Sequence, residues 1–102
     1  MRYQLVLQWP ASFVEDYDRM IEMENTLVDT LDDRGIVDGH DMGTGQMNIF
    51  VHTDTPDQAF GRIKDVLNDE EIWTEARVAY RELLGSEYTV IWPKGLKNFE
   101  VA

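Results

Sequence analysis

The run Asp41-Met-Gly-Thr-Gly-Gln-Met-Asn-Ile-Phe-Val-His-Thr-Asp-Thr-Pro56 constrains the fold more than any other part of this chain. Gly43 and Gly45 supply the backbone freedom for a tight reversal. Met47, Ile49 and Val51 then alternate with Asn48, Phe50 and His52, the period of a strand with two unlike faces. A helix start follows, with Thr55 as N-cap, Pro56 at the first helical position and Gln58 closing a capping box. Turn, strand and helix start in so short a span imply a sheet with a helix packed on it.

The same patterns run through the rest of the chain. Tyr3, Leu5, Leu7 and Trp9 alternate with polar neighbours and stop at Pro10, which gives a first strand. Ser12 and Glu15 form a capping box that opens a helix of about twenty residues. Phe13, Tyr17, Met20, Ile21, Leu27, Val28 and Leu31 make its apolar stripe. Glu15, Asp16, Asp18, Glu22, Asp29, Asp32 and Asp33 occupy the opposite side, and Gly35 is the expected stop. Ile36 to Met42 reads as a polar edge strand, joined by a three-residue turn to a strand over Met47–Asp54.

A second helix is expected from Pro56 to about Asn68, with Ala59, Phe60, Ile63, Val66 and Leu67 as its inner stripe. The stretch from Trp73 to Leu83 alternates like a strand, although its propensity also suits a helix. Gly85-Ser86 makes a turn, and Tyr88–Trp92 a last strand ended by Pro93. Residues 94–102 read as a tail in which Leu96, Phe99 and Val101 can dock locally. The order strand, helix, strand, strand, helix, strand, with one more strand at the end, predicts an α+β fold. It is the ferredoxin-like βαββαβ two-layer sandwich with an additional C-terminal strand, a single domain over 1–102.

Composition narrows the function classes. With 102 residues the chain can bury one core without staples, and it has no cysteine for disulfides, thiolate catalysis or thiolate metal ligands. No apolar run approaches a membrane span, so a cytoplasmic protein without a membrane partner is expected. Twenty acidic against nine basic side chains give a net charge of −11. That sign repels nucleic-acid backbones and steers a basic protein partner inward.

With both helices on one side, the other face of the sheet is expected to be open. The alternation places Arg2, Gln4, Val6 and Gln8 there from the first strand, and Asn48, Phe50, His52 and Asp54 from the third. Asp38, His40, Glu75, Arg77 and Arg81 join them from the outer strands. Phe50 among polar groups suits a contact anchor, for instance in a homodimer that stacks two such faces. In a three-residue turn His40 would face Asn48, and His52 would face Ile36, which separates the two histidines. No metal, cofactor or catalytic residue is therefore expected.

The strand-turn-strand Asp41-Met-Gly-Thr-Gly-Gln-Met-Asn-Ile-Phe50 and the late phrase Tyr88-Thr-Val-Ile-Trp-Pro93 resemble those of small bacterial proteins of ferredoxin-like fold that carry no assigned activity. The resemblance is structural and brings no functional residues with it. The acidic first helix is also similar in character to that of small immunity proteins that neutralise secreted toxins. Two functions are thus open. One is a non-enzymatic binding or regulatory protein that works through a protein–protein surface, with Glu15, Asp18, Glu22 and Asp29 or the face around Phe50 as contacts. The other is a small-molecule binder or small enzyme on a dimer of sheets, its site lined by Asn48, His52, Arg77 and Arg81 among the open-face candidates Gln4, Asn48, Phe50, His52, Asp54, Arg77 and Arg81.

Overall fold

The computed structural model describes residues 2–10, 17–31, 36–43, 46–68, 70–96, 98–99 and 101, with backbone alone at 17–20, 40–43 and 70–71. Among these residues, five strands and three helices follow in the order β1 (Tyr3–Pro10), α1 (Tyr17–Leu31), β2 (Ile36–Gly43), β3 (Gln46–Thr53), α2 (Pro56–Val66), α3 (Glu70–Thr74), β4 (Arg77–Glu82) and β5 (Thr89–Trp92). The strands form one antiparallel sheet in the order β2-β3-β1-β4-β5. The two most apolar strands, β1 and β3, thus lie inside the sheet, where both faces need cover. The chain is α+β. The expected helix start at Ser12 and Glu15, the helix stop at Gly35 and the turn residue Gly45 lie outside the described residues.

One face of the sheet carries the main core. Leu5, Leu7 and Trp9 of β1 meet Met47, Ile49 and Val51 of β3 and Val78 of β4. Met23, Leu27 and Leu31 of α1 close over them with Ala59, Phe60 and Ile63 of α2. Burying a Leu or Ile side chain fully contributes about 1.5–3 kcal/mol. The spacing 23, 27, 31 is one helical stripe, rotated from the expected one. Val28, assigned inward, is therefore 55% exposed, and Val66 at the end of α2 is 47% exposed.

Several local expectations are corrected. Gly43 pairs with Gln46, so the hairpin connection holds two residues instead of three. That register sets Asp41 opposite Asn48 and His40 opposite Ile49, and the shift between Val37 and Gly39 brings Ile36 opposite His52, as expected. Gly39 takes φ +145° at this irregularity, a conformation that L side chains rarely adopt. Thr55 makes no side-chain cap bond to α2. Its own N–H instead donates to Thr53 Oγ1 at 3.1 Å.

The largest departure is the stretch from Trp73, which is not one long strand. Residues 70–74 make the short helix α3 before β4 begins at Arg77. Five residues cannot hold a helix by themselves. Three indoles fix this one. Trp9 Nε1 donates to the Ile72 carbonyl at 2.8 Å, Trp73 Nε1 to that of Leu67 at 2.6 Å, and Trp92 Nε1 to that of Trp73 at 2.9 Å. Phe60 packs edge-on to Trp73, with ring centroids 5.5 Å apart.

Candidate functional site

The second face of the sheet is ordered in three ranks across the strands. The middle rank is apolar: Gly39, Phe50, Val6, Ala79 and Val90 stand side by side on β2, β3, β1, β4 and β5. The C-terminal tail lies across it. Phe99 is buried with Val6 and Ala79, and Phe50, Tyr88, Val90 and Val101 pack around them. Tyr88 and Phe99 stack with centroids 4.9 Å apart. Phe50 is half-buried under this cover, so the centre of the face expected to be open is occupied by the chain's own residues.

The rank toward the end of β4 holds Ile36, His52, Gln4 and Arg81. His52 Nε2 lies 3.5 Å from Asp38 Oδ2. Arg81 is spent on the β4–β5 loop: its Nη1 donates to the carbonyls of Glu82, Leu83 and Gly85 at 3.1, 3.0 and 3.1 Å. Gln4 is half-buried between His52 and Arg81. Asp54 lies just beyond β3, and its Oδ1 accepts the Arg2 N–H at 2.9 Å. Ile36, His52, Gln4 and Arg81 thus share one end of the sheet's second face.

The third rank is different. Asn48, Gln8 and Arg77 stand in line on β3, β1 and β4. Gln8 Nε2 donates to Asn48 Oδ1 at 3.0 Å and to Gln46 Oε1 at 3.1 Å. Gln8 and Asn48 are buried, and Asn48 Nδ2 has no hydrogen-bond partner. Beside this amide layer a cleft of about 400 Å³ opens between the end of β1, the α3–β4 connection and the chain after β5. Gln8, Gln46, Thr74, Glu75 and Arg77 give it polar walls, and Trp9, Pro10, Pro93 and Leu96 give it apolar ones. Glu75 and Arg77 are exposed at it, and neither forms an ion pair among the described residues.

Of the acidic helix contacts, Glu22 and Asp29 are exposed on α1, seven residues and so two turns apart. Neither is paired with a basic side chain among the described residues. Asn25 is exposed between them, and Val28 lies alongside. Glu15 lies outside the described residues, and Asp18 is described only by its backbone position in α1.

The alternation places Asn48, Glu75 and Arg77 on this face but does not single out Gln46. Glu75 was assigned to a strand, whereas it belongs to the connection after α3. Gln46 follows the expected Gly43–Gly45 turn, and it is the β1–β3 register, with Gln8 opposite Asn48 and Pro10 opposite Gln46, that brings it to Gln8. Among the described residues no group of three or more metal-ligating side chains comes together. Among the described residues, no helix is long and apolar enough to cross a membrane. No family model matches the chain, and neither a curated protein nor a solved structure is detectably similar to it.

Proposed function

We propose that this chain is a non-enzymatic binding or regulatory protein, immunity-protein-like in character, that acts in the cytoplasm through a protein–protein surface on α1. One observation carries the reading: Val28 is 55% exposed on a helix whose outer side presents the unpaired carboxylates of Glu22 and Asp29. An apolar side chain inside an acidic rim is the composition of a contact anchor whose surroundings steer a basic partner. The net charge of −11 extends that attraction over the molecule and disfavours nucleic acid. Phe99 and Val101 take up the place that a homodimer stacked on Phe50 would need, which favours the helix layer as the working surface.

The architecture supporting this surface is read as a ferredoxin-like sandwich with β5 added beside β4. Support comes from β1 and β3 being adjacent inside the sheet and from the helices that follow β1 and β3 packing on one face. Capture of binding proteins by wild type and by a Glu22→Lys, Asp29→Lys variant tests the function. A partner retained by wild type and lost by the variant is the expected result. Identical captured proteins would sink the reading.

A further inference from the structure

We propose that the pocket between α2, α3 and β5 binds a small organic monoanion of the aromatic carboxylate class. It is built from other elements than α1, so it stands or falls independently of the protein-binding surface.

Three observations converge there. First, the pocket holds a cation whose hydrogen-bonding capacity is unspent. Lys64 of α2 is half-buried, and its Nζ sits 3.8 Å from the centroid of the Trp92 ring, whose negative face holds the ammonium in place. Among the described residues no carboxylate or carbonyl accepts its N–H groups, although the chain carries 20 acidic side chains against 9 basic ones. A half-buried charge in that state gains from an anion brought in from outside, through charge-assisted hydrogen bonds. The Asn68 amide lines the same pocket, is also unpartnered among the described residues, and adds further donors.

Second, the walls beside these groups are carbon. Trp73 and Trp92 line the pocket with both indole N–H groups turned into the fold, to the carbonyls of Leu67 at 2.6 Å and of Trp73 at 2.9 Å. What the rings leave to a ligand is apolar surface, which suits an aryl body packed on indole. Phe60 backs both rings, with centroids 5.5 Å from Trp73 and 6.3 Å from Trp92, so the wall is set before a ligand arrives. Third, volume and charge select the class. The pocket holds about 400 Å³, within the range of small-ligand sites. One ammonium balances one negative charge, and the net charge of −11 penalises any further charge on the ligand. A phosphate dianion therefore fits worse than a monocarboxylate.

The test is a titration of the full chain with phenylacetate, followed by the indole N–H signals in ¹H–¹⁵N NMR spectra. Acetate and benzyl alcohol serve as controls for charge alone and ring alone. The expected result is saturable movement of the Trp73 and Trp92 Nε1–H signals, with little movement of Trp9, which does not line the pocket. Lys64→Gln should weaken binding about tenfold, the size of one charge-assisted hydrogen bond. Glutamine suits a helix as well as lysine does, so this variant keeps α2. Asn68→Ala, at an exposed position, should weaken binding about threefold. Acetate that binds as tightly as phenylacetate would leave an anion contact alone, and benzyl alcohol that does so an apolar cavity alone; either overturns the proposal. So would unsaturated shifts, equal movement of all three indoles, or wild-type affinity in Lys64→Gln.

Discussion

Asn48 shows how one side chain can be both buried and unfinished. Its Oδ1 is held by Gln8 Nε2, while its Nδ2 meets no acceptor. Removing one member of such a pair differs from removing the other. Gln8→Leu strips Asn48 of its partner and leaves a whole buried amide unsatisfied, which should cost about 1–3 kcal/mol. Asn48→Leu removes the orphan together with the acceptor, and Gln8 keeps Gln46, so the expected loss is below about 1 kcal/mol. Urea unfolding of the two variants checks the order. Val28 makes a second lesson at this scale. Leu27 and Val28 are adjacent and equally apolar, yet one is fully buried and the other 55% exposed. Composition marked both as core; only the angular position relative to Met23 and Leu31 separates them.

Among the elements, α3 was the least legible in the sequence. Glu75, Arg77, Ala79 and Arg81 alternate like a strand, and β4 does follow that pattern from Arg77 onward. The helix before it depends on indoles from β1 and β5, which no local pattern can reveal. Trp9→Phe deletes the N–H that reaches the Ile72 carbonyl and should lower stability by about 1–3 kcal/mol, read by chemical denaturation. The edge strand carries its own constraint at Gly39, where φ +145° makes a Cβ strained although there is room for one. Gly39→Ala should cost about 1–3 kcal/mol for conformational reasons alone. An unchanged unfolding midpoint would show that the irregularity in β2 relaxes easily. By contrast, β1, β3 and the inner side of α2 were readable, because strict alternation and the 59, 60, 63 stripe leave few other arrangements.

For the whole molecule, the question is which of its two broad surfaces is available. Helices cover one side of the sheet and the tail covers the middle of the other. Phe99 was recognised as apolar, but its docking on Val6 and Ala79 joins residues far apart in the chain, so only the fold could show it. Truncation after Leu96 should expose Val6, Ala79 and Phe50 together, reduce stability by about 2 kcal/mol for the lost Phe burial, and promote self-association visible in sedimentation. A truncated chain that stays as stable and as monodisperse as the full one would place no weight on the tail. Charge acts at the same scale. With −11 spread over 102 residues, association with a basic partner should slow and weaken as salt rises.

The central claim is that α1, and not the sheet face under the tail, is the working surface. It is tested most directly by titrating one captured partner against wild type, Glu22→Lys with Asp29→Lys, and Phe50→Ser at fixed low salt. The claim predicts about a tenfold or greater loss of affinity for the helix variant. It predicts wild-type affinity for Phe50→Ser. The reverse pattern, with affinity lost at Phe50 and kept on the charge-reversed helix, would contradict it.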